Sequence, residues 1–541
     1  MKKVYLKPNV VFEPLFDKWY VWSHLISPAT AALNILGRHL EIMDSYIQAP
    51  KVHELAAKNP KMRGGPFMDL EGNQSDRIVA LKQATLDEHH DLLAFAKALK
   101  ELSIFLLEKA DGCSLEPLYK DIPEILKGYV ELVYDLNNQP SYRIFEHLLY
   151  RSPFYKTDAQ SLVLWLTNND ERPFVLSTPR LESADTIHLD VPFSYEGIDQ
   201  LSAMKRTPKA YEDIRPYFDI PSEKEALFQS LFTEEAPPQY NTYQGDQVRM
   251  RYFGHACILI ETKDVSILLD PLISYYGYQN GIDRFSDMDL PDTIDYVLIT
   301  HNHQDHILFE TLLPLRKRIK NIVVPRTTGG TLQDPNLKLM FNNVGFDNII
   351  EIDNMESIQF ADCTITGLPF IGEHGGLNVQ AKICHHVQVG DFSMLFAADA
   401  CNVEDRLYQL IQKEVGNVDV IFLGMECEGA PLSWVYGPLL TKPLQRNQDQ
   451  NRRLAGSNFE RARGIVEAFN PLEVYVYAMG QEPWLEFISS IKYTAESKPI
   501  VQSDLLLEWC AENNIIAERL YGEKEILYQK YKSTEALAGV S

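Results

Sequence analysis

Four residues in one short segment carry the side chains of a metal site: His301, His303, Asp305 and His306, in the run Thr300-His301-Asn302-His303-Gln304-Asp305-His306. Three imidazoles and a carboxylate thus fall within six residues. They follow the apolar stretch Tyr296-Val297-Leu298-Ile299, which predicts a buried strand running straight into a loop. Alternation in an extended loop aims His301 and His303 at one ion, while Asp305 and His306, at the start of the next helix, turn toward a second. A lone histidine among the 14 of this chain would be structural or solvated. Four ligand-type residues at this spacing point instead to a dinuclear metal centre.

More ligand-type residues lie downstream. Asp399 ends the run Leu395-Phe396-Ala397-Ala398. The loop Phe370-Ile371-Gly372-Glu373-His374-Gly375-Gly376 offers Glu373 or His374, and the run Asp419–Leu423 leads to Glu426, Cys427 and Glu428. No histidine occurs after His386, so any ligand beyond that point is a carboxylate or Cys427. Each imidazole replaced by a carboxylate adds negative charge and a hard oxygen donor. Such a set favours iron, which cycles between +2 and +3, over redox-inert zinc.

The elements that must position these residues come from a chain of 541 residues, 45% hydrophobic and 23% charged, enough for more than one core. Disorder and small disulfide scaffolds are excluded. A net charge of −24 argues against nucleic acid or an anionic membrane as partner. No apolar run reaches the roughly 20 residues of a bilayer span, and Pro8, Glu13 and Asp17 follow the start instead of a signal-type stretch. Seven cysteines without a CxxC pair predict reduced thiols, and the protein reads as cytoplasmic. The composition break Glu234-Glu235-Ala236-Pro237-Pro238 divides the chain into residues 1–244 and 245–541. Upstream, a capping box at Thr85 and Glu88 opens a helix bearing Leu92, Phe95, Leu99, Leu102 and Leu106, with strands expected at Leu162–Leu166 and Phe174–Leu176. Downstream, nine short apolar runs from Val248–Phe253 to Val474–Tyr477, with helices around Phe309–Ile319 and Glu404–Glu414, predict two sheets covered by helices.

The His-x-His-x-Asp-His run resembles the signature of the metallo-β-lactamase fold superfamily, and its surroundings agree over about residues 245 to 440. Gly254-His255 before Ala256–Glu261, then Leu268-Leu269-Asp270-Pro271, look like the opening strands of that fold. The resemblance implies an αββα sandwich in which Asp270 buttresses the metal loop and Asp399 bridges the ions. Over the whole length the chain more closely resembles the diiron β-hydroxylases of nonribosomal peptide synthesis, the CmlA-like family. That resemblance implies a mixed α+β amino-terminal domain for dimerisation and docking, residues 1–244, followed by a catalytic metallo-β-lactamase-fold domain, residues 245–541. It also implies that His301, His303 and Glu373 hold one iron, Asp305 and His306 the other, with Asp399 between them. Glu426, for which Glu428 competes, would stand close to the cluster and act with Glu373 in catalysis. The implied activity is O2-dependent monooxygenation at the β carbon of an aminoacyl thioester. Its cofactors would be two iron ions in an oxygen-bridged cluster. Its partners would be a carrier domain with a phosphopantetheine-bound aminoacyl group, an external electron donor and a second copy of the chain. The alternative, a dinuclear zinc hydrolase of the same superfamily, is weakened by the missing last histidine.

Other conspicuous residues have plainer readings. Glu88-His89-His90-Asp91 falls on a helix, where adjacent side chains diverge by about 100° and cannot share an ion. His385 and His386 point to opposite faces of a strand. Arg316-Lys317-Arg318 with Lys320, and Arg446 with Arg452, Arg453, Arg461 and Arg463, are solvated faces or a docking patch for an acidic partner. Trp434 and Tyr436 belong to core packing or to a substrate channel.

Overall fold

Short β-branched and aromatic runs, closed by glycine, proline or aspartate, assemble into two seven-stranded sheets in the carboxy-terminal half. The computed structural model describes residues 2–277 and 281–529. In the first sheet the strand order is Ile349–Ile352, Ile319–Pro325, Ile294–Leu298, Ser266–Leu269, Cys257–Glu261, Val248–Gly254 and Lys524–Tyr528. In the second it is Ser357–Phe360, Cys363–Pro369, Ile383–Val389, Phe392–Phe396, Val420–Gly424, Glu473–Tyr477 and Ile516–Arg519. A shared apolar layer including Ile258, Ile267, Ile365, Phe396 and Tyr475 lies between them. Helices Asp405–Val415, Phe459–Phe469 and Lys498–Glu512 cover the outer face of the second sheet. This is the expected αββα sandwich, and all nine apolar runs fall in its strands. The last strand, near the described carboxy-terminal end, returns to pair antiparallel with Val248–Gly254.

The outer face of the first sheet is covered largely by the amino-terminal half. That half has a four-stranded sheet ordered Trp19–Tyr20, Val10–Phe16, Gln160–Leu166 and Ile187–Leu189, with helices that include Ser75–Glu88 and His90–Lys109. Leu92, Phe95, Leu99, Leu102 and Leu106 are all buried, as the helical spacing requires. Their core is continuous with Leu290, Phe309, Phe341 and Trp484 of the other half, so packing does not stop at the composition break.

Three local expectations are corrected. Thr85 does not cap a helix: it lies inside Ser75–Glu88, its hydroxyl reaching Leu81 O and Asp17 Oδ2, and the next helix begins at His90. Phe174–Leu176 is not a strand; Val175 N donates to Phe487 O across the two halves. Arg316 and Arg318 are not part of a free basic patch. Arg316 is buried on Asp199 at 2.9 Å and on the carbonyls of Phe193 and Val344, and Arg318 donates to Leu290 and Pro291 carbonyls.

Candidate metal centre

Register explains how the metal-loop buttress arises. Strands Ser266–Leu269 and Ile294–Leu298 are parallel, with Leu269 opposite Leu298, so the residue after each strand meets the other chain end. Asp270 therefore accepts from Thr300 N at 2.8 Å, Thr300 Oγ1 at 2.6 Å and His306 Nδ1 at 2.8 Å. This fixes the His306 tautomer and leaves Nε2 to face the centre. His301 forms an isolated bridge to Lys382 at the end of the second sheet, which brings both sheet ends together at the motif. Asp305 and His306 lie in a turn, His306 N and Ile307 N donating to His303 O, and the helix starts only at Phe309. Their expected place at a helix start is thus corrected, although their side chains still join donor groups that exclude His303.

Three groups of donors converge: His301, His303 and Glu373; His301, His306 and Asp399; His255, Asp305 and His306. His303 Nδ1 is 2.7 Å from Glu373 Oε1, His306 Nε2 is 3.2 Å from Asp399 Oδ2, and His301 Nε2 is 3.7 Å from the same oxygen. All six expected metal-ligating residues are therefore in one place. Asp399 is brought there by the parallel pairing of Phe392–Phe396 with Val420–Gly424. Gly424 is required, because a Cβ there would lie 2.7 Å from both Ala398 O and Asp399 Oδ1.

The loop alternatives are both present. Glu373 faces His303, while His374 stacks on the His303 ring at 4.6 Å and 24°. Glu426 is half-buried and Glu428 exposed. Burial, reinforced by the negative charge of Asp399, pushes the Glu426 carboxyl up to about 8. His385 and His386 stay outside, on Ile299 O at 3.0 Å and Ser393 Oγ at 2.7 Å. His89 pairs with Asp17 at 3.4 Å and Asp91 with Lys156 at 2.5 Å, which makes that histidine run structural.

Electrostatics prepares the donors. Burial pushes the His301 imidazole well below its ordinary range, leaving it neutral and able to ligate. For Glu373 burial opposes ionisation, but the charges of His303 and His374 prevail and hold it well below the usual carboxylate range. His301 Nε2, Asp399 Oδ1 and both ring nitrogens of His255 are buried without a hydrogen-bond partner. Such groups are rare in native cores, and cations between them would complete their coordination. The donor set, mixed imidazole and carboxylate, fits two hard or borderline ions.

Several neighbours escaped the sequence reading. His255 sits 3.4 Å from Asp305 Oδ2, yet nothing in its spacing connects it with the motif. Tyr436, expected in core packing or a substrate channel, is buried and places its hydroxyl 3.2 Å from His303 Nε2. His24 of the amino-terminal half meets Tyr436 edge-on at 5.9 Å, and burial together with the charge of His303 pushes its imidazole down to about 3. Arg38, from the π-helical turn Ile35–His39, donates to Trp434 O at 2.6 Å and so holds the short helix bearing Tyr436. Trp434 itself donates to Gly64 O at 2.7 Å, as an interdomain contact.

Residues 5–237 match the family model described as the diiron non-haem β-hydroxylase N-terminal domain, and residues 266–429 match a β-lactamase superfamily domain. The chain is 37% identical, over 95% of its length and 98% of the relative's, to the 4-amino-L-phenylalanyl-[CmlP-peptidyl-carrier-protein] 3-hydroxylase of Streptomyces venezuelae. The crystal structure of CmlA, a diiron β-hydroxylase from Streptomyces venezuelae, superposes with a TM-score of 0.91, covering 97% of this chain and 99% of that one. A metal-dependent hydrolase of Rhizobium johnstonii is similar over only 11% of this chain and 24% of its own length, at 36% identity.

Proposed function

The chain belongs to the diiron non-haem β-hydroxylase family, and from that premise we propose that it hydroxylates the β carbon of an aminoacyl group held as a thioester on a nonribosomal peptide synthetase carrier domain. The observation that carries this reading is the 37% identity to a carrier-dependent 3-hydroxylase over 95% of the chain, both halves included. The family is one of diiron oxygenases, so two iron ions are the cofactor and O2 is the co-substrate. His301, His303 and Glu373 would hold one iron, Asp305 and His306 the other, and Asp399 both. Bound there, the irons supply the redox chemistry by which one atom of O2 enters the C–H bond and the other leaves as water, with two electrons from an external donor and two protons.

The protein's own contribution is positioning and exclusion of water. Asp270 holds His306, and Tyr436 holds His303. Apolar and aromatic side chains, including Phe370 at 5.4 Å from the His301 ring, close the inner side. Residues 1–244 form the docking and dimerisation unit in this proposal. Val52 and Leu55 on one helix, and Ile104 and Leu107 on another, present apolar side chains to solvent and support a homodimer. Among the described residues no helix is long and apolar enough to cross a membrane, and all seven thiols are free, which supports work in the cytoplasm.

The test is single turnover. Iron-loaded, chemically reduced protein is exposed to O2 with a carrier protein loaded with each candidate amino acid. Addition of one oxygen atom to the loaded carrier, and not to the free amino acid, is expected. Two bound zinc ions with ester or lactone hydrolysis, and no hydroxylation, would overturn the proposal.

A further inference from the structure

On a chain whose net charge is −24, four neighbouring cations, Lys442, Arg446, Arg452 and Arg453, form no ion pair among the described residues. Lys442 and Arg446 are exposed, and neither side chain makes a hydrogen bond among those residues. Arg446 opens the helix Arg446–Asn451, the end at which the helix dipole disfavours a positive charge. Neither residue is therefore placed for stability. Of the nearby acids, Asp449 is occupied, accepting from Ser433 N at 2.8 Å and Ser433 Oγ at 2.7 Å, and Glu428 is exposed on the loop that Arg453 grips. Four cations against two acids leave a local positive excess. Arg461 and Arg463, further on, are engaged elsewhere, with Cys401 Sγ at 3.1 Å and Glu467 at 3.5 Å.

The segment that carries these cations is bonded to three elements of the metal centre. Arg452 Nε donates to Gly375 O at 2.6 Å, and a Cβ at Gly375 would stand 3.1 Å from Arg452 O, so the chain packs directly on the loop of Glu373. Arg453 Nε donates to Gly429 O at 3.0 Å, and Ala430 and Pro431 pair with Leu454 and Arg453, which ties the segment to the loop of Glu426. Asp449 holds Ser433, the first residue of the helix Ser433–Tyr436, whose Tyr436 hydroxyl is 3.2 Å from His303 Nε2. The same helix meets the amino-terminal half, where Trp434 donates to Gly64 O at 2.7 Å.

The charge selects the partner. A free aminoacyl group brings an ammonium, which a cationic surface repels, whereas a carrier domain presents acidic side chains and an arm joined through a phosphodiester. We propose that residues 441–453 are a docking surface for the acidic carrier domain, with Lys442 and Arg446 as its charged contacts. The inference rests on the carrier-dependent function proposed above and extends the docking unit of residues 1–244 across the seam at Trp434. Exposed charges of this kind act mainly on the rate of encounter and on its salt dependence.

The experiment measures binding of the holo carrier domain of CmlP, the partner named for the Streptomyces venezuelae relative, to the iron-loaded full chain by biolayer interferometry at low and at physiological salt. The wild type should bind, and more weakly at physiological salt. Lys442→Gln and Arg446→Gln together should slow association and weaken binding about tenfold, with iron content and melting temperature unchanged. Either single substitution carries the test, with a smaller loss, should the pair fail to fold. The control combines Lys317→Gln and Lys320→Gln: both lysines are exposed, but they stand where Ile319 meets Ile294, at the strand end opposite the metal loop. It should bind as the wild type does. No binding by the wild type, equal binding by the wild type and the Lys442→Gln, Arg446→Gln variant, or an equal loss in the control would overturn the inference. Docking that depends on Lys442 and Arg446, with no oxygen added to any loaded carrier, would instead count against the proposed reaction and leave the surface standing.

Discussion

Asp270→Asn isolates the role of one buried charge behind the metal centre. Asp270 is fully buried and has φ of 36°, a left-handed conformation that asparagine tolerates as well as aspartate does. The backbone should therefore stay in place. Asn Oδ1 can keep the 2.8 Å bond from Thr300 N, but the other two contacts, from Thr300 Oγ1 and His306 Nδ1, meet the oxygen that becomes an NH2 group. The threonine hydroxyl can rotate and accept. The imidazole must either face a donor with its Nδ1–H or flip its tautomer, and the flip puts a proton on Nε2, the nitrogen 3.2 Å from Asp399. Loss of a hydrogen bond to a charged group costs about 1.5–3 kcal/mol, which converts to a roughly ten- to hundredfold loss of metal affinity, the usual range for such supporting partners. Chelator competition on the refolded, iron-loaded variant measures this. Affinity within twofold of wild type would refute the claim that Asp270 acts through His306.

Gly424→Ala should fold but lose iron, because its methyl would stand 2.7 Å from Asp399 Oδ1 and from a backbone carbonyl that cannot move aside; elemental analysis showing two irons per chain would contradict this. Glu373→Ala should lose iron while His374→Ala retains it, since Glu373 faces His303 directly and His374 only supports it, pairing with Glu373 Oε2 at 2.5 Å and stacking on the His303 ring; the reverse result, again by elemental analysis, would reassign the loop ligand. His386→Gln should flatten acid sensitivity. Burial holds His386 at about 4 in the folded chain, against about 6.5 unfolded. Protonation of the unfolded state alone then removes stability that is fully present above pH 6.5, about 2 kcal/mol between pH 7 and 5. Urea unfolding of metal-free wild type and variant at those two pH values should differ by that amount, and parallel curves would show that His386 is not responsible.

The strands of the sandwich were legible because each is a short β-branched or aromatic run with its own stop signal, and the metal loop because all four of its donors are local in sequence. Asp399 and Glu373 became visible only through resemblance, since each lies on a separate strand end or loop. His255 and His24 were not legible as neighbours of the centre, and Tyr436 only as a residue of the core or of a substrate channel. They reach the histidine motif by topology, from 46 or more residues away, and no spacing rule connects them. The capping box at Thr85 failed for a related reason: Asp17, on a distant turn, takes the hydroxyl at 2.8 Å. The run beginning at Arg316 looked like a surface patch because Asp199, its buried partner, is 117 residues away.

Four residues in the strained left-handed conformation stand where the donors are. His255, Asp270, Glu373 and Ala398 all have φ between 36° and 63°, in the left-handed region. Two follow directly on strands, Val248–Gly254 and Ser266–Leu269, the third comes two residues after Phe392–Phe396, and the fourth is in the loop after Cys363–Pro369. A continuing strand would send alternate side chains to opposite faces. A left-handed residue breaks that alternation and turns the chain across the sheet end, so that His255, Asp270, Glu373 and, one residue on, Asp399 all approach the gap beside His306 and His303. Each such residue costs on the order of 1–3 kcal/mol, and the four together represent a large share of a typical net stability of about 5–15 kcal/mol. Conformations that expensive persist only when surrounding bonds over-determine them, as the three bonds to Asp270 do. The largest core cluster, which joins both halves behind the first sheet, supplies the rigidity. On this view the amino-terminal half is part of what keeps the metal centre in its strained geometry, through Arg38 and His24 against the Tyr436 helix as well as through the shared core.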